Sequence, residues 1–385
     1  MVLMRACCHP TIPVLGLLCV ALLSAPAAGQ AALDGPVTDD PEQHFQAGRD
    51  LLKADRTLEA VNELRAALSL APERGDIAQT LLDATRRTRT VTVLAAVSPA
   101  FRAQDGWEDA IRRRLRFANE HLRPHGIALE LADPVLWQPA LEMSDGLSCV
   151  DELMDDIPRG QADVVIGFVR QEIPRPRPGE APERRLHTVG LGPSFSGYAV
   201  ICDYVLVDSV TGLKSRMREP FVLETFVHEM GHLFGCVHVS ANSCMRSGGG
   251  PTPQYDYDPE NAAVLGAARW VDFRRQFASF AVPELERLAD AYEALRSVPR
   301  PDKGCEFYLA CTYQLLGDLE RAARLYEVAL NANPADPFAQ LNLARIYAEQ
   351  GYPDRATEHF QAVIAIGEPA YMVQRAREEL LALGG

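Results

Sequence analysis

Three histidines and a glutamate lie close together in the run His228-Glu229-Met230-Gly231-His232-Leu233-Phe234-Gly235-Cys236-Val237-His238. His228 and His232 are four residues apart, so on a helix both imidazoles leave one face on successive turns and can share one zinc ion. Glu229 follows the first histidine directly, where it can reach a water activated by the metal without being a ligand. Zinc brings the pKa of such a water to about 7, and a carboxylate can then take its proton. On an uninterrupted helix His238 would point away from the other two. Gly235 can adopt a positive φ, end the helix and turn the chain back, so that His238 arrives as a third ligand. Three histidines leave one coordination position open, the layout of a catalytic centre with a single zinc ion rather than of a structural one.

Such a site needs a helix under His228 and His232 and a scaffold under that helix. The sequence predicts the helix over Pro220 to Phe234, with Pro220 suited to its first turn. Upstream, Val91 to Val97 is apolar and β-branched and reads as a buried strand. Gly106 to Leu122 has helical spacing of apolar residues (Trp107, Ile111, Leu115, Ala118, Leu122). Ile127 to Leu131 and Ala162 to Phe168 read as strands, Cys149 to Ile157 as a short helix, and Gly197 to Ile201 and Tyr204 to Asp208 as two further strands. The prolines between Ile173 and Pro182 predict an extended loop. The pattern is α+β or α/β-like, a mixed sheet with helices packed on one side, over roughly residues 90 to 280.

The motif HExxHxxGxxH resembles that of the metzincin metallopeptidases, whose further hallmark is a methionine in a tight turn below the metal. Met245, in Ser243-Cys244-Met245-Arg246-Ser247, occupies that place. The resemblance implies a metzincin-type catalytic domain, endopeptidase activity, zinc on His228, His232 and His238, and Glu229 as general base. It also implies that Gly197-Tyr198-Ala199 forms the sheet edge that pairs with an extended substrate backbone. The domain is matrixin- or archaemetzincin-like, but no subfamily fits. Val239 follows the third histidine, no CxxC lies downstream, and no cysteine of an inhibitory prodomain precedes residue 90.

Repeats frame this region. Leu309, Ala310, Tyr313, Gly317, Ala322 and Tyr326 recur 34 residues later as Leu343, Ala344, Tyr347, Gly351, Ala356 and Phe360. The period and the small-large pattern resemble tetratricopeptide repeats, with Tyr371 to Leu383 as a capping helix. Ala47, Gly48, Leu51, Ala60, Leu64, Ala67 and Pro72 hold equivalent places in one more helical pair, which must pack on the next helix, about Asp76 to Arg87, or on another domain. The expected organisation is a signal peptide at 1–28, helical repeat-like segments at 40–88 and 281–385, and the zinc peptidase domain at 90–280.

The net charge of −14 argues against nucleic acid or an anionic membrane as partner. The run Arg112, Arg113, Arg114 and Arg116 reads as the solvated face of a helix. Arg5, the apolar stretch Ile12 to Leu23 and the small residues Ser24 to Ala28 read as an export signal, and no later stretch would span a membrane. A secreted or periplasmic setting is therefore expected. Six cysteines remain in the exported part, and proximity suggests the disulfides Cys149–Cys202, Cys236–Cys244 and Cys305–Cys311. The expected function is a zinc metalloendopeptidase acting on protein or peptide, with a protein partner on the repeats. The alternative is an inactive zinc-binding protein in which the repeats mediate protein–protein interaction. Tyr255 and Tyr257 could hold substrate or oxyanion but read more simply as loop aromatics. His44, His121, His125, His187 and His359 form no comparable ligand cluster.

Overall fold

The computed structural model describes residues 40–140, 146–175, 190–208, 211–240, 242–247, 252–300 and 304–383. The described residues begin with α1 (Pro41–Lys53), α2 (Thr57–Leu70) and α3 (Gly75–Ala84). The chain continues with β1 (Arg89–Val97), α4 (Pro99–Arg102), α5 (Trp107–Leu122), β2 (Ile127–Leu131), β3 (Val135–Leu136) and α6 (Gly146–Asp156). Next come β4 (Val164–Arg175), β5 (Gly190–Leu191), β6 (Tyr198–Asp208), β7 (Lys214–Arg216), α7 (Glu219–Leu233) and α8 (Pro259–Ala268). The chain ends with α9 (Val282–Arg296), α10 (Gly304–Leu315), α11 (Leu319–Ala332), α12 (Pro337–Glu349), α13 (Pro353–Ile366) and α14 (Ala370–Leu383). It divides into two compact units. One holds 88–269 with 298–301, and the other holds 270–297 and 302–385 together with the helices before residue 88.

The first unit is built on a mixed sheet of order β2-β1-β4-β6-β5, with β3 against β1 and β7 against β6. The pairs β1–β2, β1–β4 and β4–β6 are parallel, whereas β5 and β7 run antiparallel to β6. Residues of β1 and β4 are buried on both faces, as parallel strands covered on two sides must be. Val165, Val169 and Val200 pack with Val150 and Leu153 of α6 and with Trp137. Residues of opposite parity serve the other face, where Phe168 stacks on Phe226 of α7 with centroids 6.2 Å apart. Helices therefore cover both faces, and the expected one-sided packing is corrected: α6, between β3 and β4, supplies the second layer.

Other expectations change for physical reasons. The two strands expected at 197–201 and 204–208 are one strand, because β6 pairs with β4 without interruption from Tyr198 to Asp208. β4 runs through Pro174 to Arg175, inside the expected loop; the rest of that loop, 176–182, lies outside the described residues. Arg114 is not on a solvated face. Helical spacing sets it inward beside Ile111, Leu115 and Ala118, and its Nη2 donates to both carboxylate oxygens of Asp203 at 2.7 Å, which pairs the buried charge, while its Nε and Nη1 are buried without a hydrogen-bond partner. Arg112, Arg113 and Arg116 are exposed. All six cysteines are buried thiols, so none of the three suggested disulfides is present. Cys149 and Cys202 instead fill the core between α6 and the sheet.

In the second unit, α1, α2 and α3 enclose Phe45, Val61, Leu64, Leu68, Ile77 and Leu81, and Trp270 completes that core. The Trp270 Nε1–H donates to the Thr85 carbonyl at 2.9 Å. The Arg65 Nε donates to Glu284 of α9 at 2.7 Å, both side chains being buried. α9 continues into the repeats through Tyr292 stacked on Tyr308, centroids 5.8 Å apart. α10/α11 and α12/α13 form two helical hairpins closed by α14. Their shared core contains a polar chain in which the Asn342 Nδ2 donates to the Tyr326 hydroxyl at 3.1 Å, and that hydroxyl donates to Gln314 Oε1 at 2.8 Å. The N-terminal helices and the C-terminal repeats thus belong to one body, although the whole sheet unit separates them in sequence.

Candidate metal centre

His228 and His232 leave α7 on successive turns near its C-terminal end. The helix stops in a Schellman arrangement. Gly235 has φ +87°, its N–H donates to the His232 carbonyl at 2.8 Å, and the Cys236 N–H donates to the Gly231 carbonyl at 3.1 Å. The reversed chain brings His238 to the other two. Their Nε2 atoms lie 3.0 Å (His228–His232), 3.2 Å (His232–His238) and 3.3 Å (His228–His238) from one another.

Tautomers follow from the outer nitrogens. The His228 Nδ1 is 2.7 Å from the Cys244 carbonyl and the His232 Nδ1 is 2.8 Å from the Cys236 carbonyl. A carbonyl only accepts, so both Nδ1 atoms carry the proton and both Nε2 atoms present lone pairs inward. Converging lone pairs repel one another unless a cation lies among them. Tetrahedral zinc with Zn–N bonds of about 2.0–2.1 Å holds its nitrogens about 3.3 Å apart, close to the observed triangle. Among the described residues these three histidines are the group of nitrogen, sulfur and carboxylate donors able to hold a metal ion. Burial favours the neutral imidazoles of His228 and His232, lowering the His228 pKa to about 3 and the His232 pKa well below its usual range, and neutrality is what metal ligation requires.

Glu229 is buried beside the triad. Desolvation raises its carboxyl to about 8, against a smaller opposing effect of a hydrogen bond from the Gly192 backbone. Its Oε2 is buried without a hydrogen-bond partner. Gly190 and Gly192 make room for it: a Cβ on Gly190 would lie 2.7 Å from Glu229 Cγ, and one on Gly192 3.0 Å from the Glu229 carbonyl oxygen. In the sequence these two glycines carry no signal beyond the short run Gly190-Leu191-Gly192-Pro193.

Met245 is fully buried beneath the triad helix. A side chain at Gly231 would collide with Met245 Sδ and Tyr257 Cε1, each 2.7 Å from its Cβ position. Val239 pairs with Arg246 in an isolated bridge, its N–H donating to the Met245 carbonyl at 3.0 Å, so the residue after His238 ties the Met245 turn to the triad. Tyr257 points under α7, its hydroxyl donating to the Val227 carbonyl at 2.7 Å, and Tyr255 packs on Phe117 and His121. Tyr198 and Ala199 lie in β6, which is not the last strand of the sheet. Tyr198 and Ala199 pair with Val165 and Ile166 of β4, and β5 pairs with β6 further along, at Val200 and Ile201. The edge beside Glu229 is Gly190–Leu191.

A tetratricopeptide-repeat family model matches residues 315–372, which places α11 to α13 in helical repeats of that type. No curated protein sequence matches the chain. Similar solved structures include PcrH from Pseudomonas aeruginosa, 21% identical, with a TM-score of 0.26 over 27% of this chain and 81% of that one. Metalloproteinase-II from Bacteroides fragilis is 12% identical, with a TM-score of 0.32 over 47% of this chain and 53% of that one. A thermophilic TPR protein of Thermus thermophilus is 12% identical, with a TM-score of 0.25 over 89% of this chain and 99% of that one. Likenesses at this level carry no argument about activity.

Proposed function

We propose that the sheet unit is a metzincin-like zinc metalloendopeptidase in which His228, His232 and His238 hold the metal and Glu229 is the general base. The observation that carries this reading is the triangle of inward Nε2 lone pairs, 3.0–3.3 Å on a side, with a buried carboxylate next to it. Bound zinc supplies Lewis acidity toward water and carbonyl oxygen, and its charge favours the ionised form of Glu229. Glu229 accepts the proton of the attacking water and passes it to the leaving amine. By the metzincin resemblance an extended peptide would lie along the last strand of the sheet, β5, which favours a peptide over another hydrolysable substrate. The repeats recruit a protein substrate or partner. The proposed exported setting rests on the segment 1–28, which lies outside the described residues. Among the described residues no helix is long and apolar enough to cross a membrane.

The test is elemental analysis for zinc, followed by casein or gelatin cleavage with and without a chelator. Stoichiometric zinc and chelator-sensitive cleavage are expected. Stoichiometric zinc with no cleavage of a broad peptide library would favour the second reading, a zinc-binding protein whose repeats bind a partner, which the repeat match at 315–372 supports.

A further inference from the structure

Asn261, in the first turn of α8, is fully buried and touches none of the reacting groups. Its Oδ1 accepts from the Val237 N–H at 2.9 Å and its Nδ2 donates to the Val237 carbonyl at 3.0 Å. The carboxamide therefore pairs with both backbone groups of the residue just before His238. The second Nδ2–H goes to Asp258 Oδ2 at 2.8 Å, so each of these donors and acceptors has a partner in one amide orientation only. Turned over, the amide would face the Val237 N–H with a donor and the Val237 carbonyl and Asp258 carboxylate with an acceptor. Asp258 continues the chain by accepting from the Ser243 hydroxyl at 2.7 Å. The Ser243 Oγ accepts in turn from the Met245 N–H at 3.0 Å. Ser243 is fully buried and Asp258 nearly so.

This network ends on the two loops that aim the histidines. Cys236, whose carbonyl holds His232 Nδ1, precedes Val237, and Cys244, whose carbonyl holds His228 Nδ1, lies between Ser243 and Met245. Resting on the metal-centre reading above, we infer that Asn261, acting through Asp258 and Ser243, is a positioning residue that sets all three histidines in register for the metal. The physical reason is that both loops lack regular secondary structure apart from the Val239–Arg246 bridge, so side-chain hydrogen bonds must fix their carbonyls. A buried, fully satisfied network does so with little freedom left.

The experiment uses the full chain with Asn261→Ala and Asn261→Asp, and Thr312→Ala as a control. Thr312 is fully buried in α10 and donates to the Tyr308 carbonyl at 2.8 Å, so its loss tests destabilisation remote in sequence from the network. The dissociation constants for Zn(II) and Co(II) are measured by chelator competition, with the visible spectrum of bound Co(II) and the thermal midpoint of the metal-free protein. The Asn261 variants are expected to bind about 10–100-fold more weakly and to show an altered Co(II) spectrum, while Thr312→Ala keeps the parent's metal affinity. Should Asn261→Ala fail to fold, Asn261→Asp carries the test, because it keeps the shape and an acceptor for the Val237 N–H while an ionisable carboxyl oxygen replaces the amide donor to the Val237 carbonyl and Asp258. Parent-like affinity and spectrum in the Asn261 variants overturn the inference. A parent that binds no zinc overturns the metal-centre reading itself, and this inference with it.

Discussion

Glu229 and His238 differ in what their removal should do. Glu229 is not one of the converging nitrogens, so Glu229→Gln should leave zinc stoichiometry unchanged while lowering peptide hydrolysis by about 10²–10⁴-fold, the usual worth of a positioned general base. Glutamine also relieves the cost of a buried carboxylate, so the variant should be no less stable than the parent. His238→Ala should instead abolish stoichiometric zinc, since two nitrogens remain where three converge. Elemental analysis and a hydrolysis assay on the same two preparations separate the roles, and equal zinc loss in both would contradict them. The motif made these residues legible because spacing on a helix is a sequence property. Gly190, Gly192 and Asn261 were not legible, since each acts through a contact with a residue far from it in the chain.

At the scale of elements, the end of α7 decides whether a triad exists. Gly235 at φ +87° lies where a side chain is strained, and Gly235→Val should cost about 1–2 kcal/mol or more and weaken zinc binding by moving His238. Calorimetry of metal-free protein and a zinc titration read the two effects separately. A second element carries its own pH dependence. Asp336 caps α12, accepting from the Phe338 and Ala339 N–H groups at 3.0 and 3.1 Å, yet burial raises its carboxyl from 3.8 to about 6. Between those values the folded chain keeps a proton that the unfolded chain has released. Stability is therefore higher below pH 4 on this account and is lost as pH rises through 6, by about 3 kcal/mol in all. Asn also caps helices, so Asp336→Asn should remove this dependence, seen as a smaller change in urea midpoint between pH 4 and pH 7 than in the parent. Tyr313 and Tyr347, equivalent in the repeats, were legible from the 34-residue offset, whereas the buried state of Asp336 was not.

For the whole molecule, the helical unit is assembled from both ends of the chain. Arg65 and Glu284, 219 residues apart in sequence, meet with 4% and 1% exposure. Removing one partner strands the other charge, so Arg65→Met should destabilise the helical unit by about 3–5 kcal/mol, and Arg65→Met combined with Glu284→Met should recover much of that loss. Urea unfolding of the single and double variants, followed through Trp270 fluorescence beside this pair, measures both. Additive losses would show that the pair does not act as a unit.

The sequence by itself determined the features that depend on spacing along one element. These are the two histidines on one helix face, the helix-ending glycine that lets a third return, the repeat period and the alternation of sheet and helix. Tertiary structure decided what depends on which distant segments meet. It set Tyr198 and Ala199 in β6 against β4 and made Gly190–Leu191 the last strand of the sheet. It placed Arg114 against Asp203 and left the cysteines as packed thiols. It also joined α1–α3 to residues 270–297 in one core. Local patterns report backbone geometry, but strand order, buried charge pairing and the company of a side chain are set by long-range packing, which no local period records.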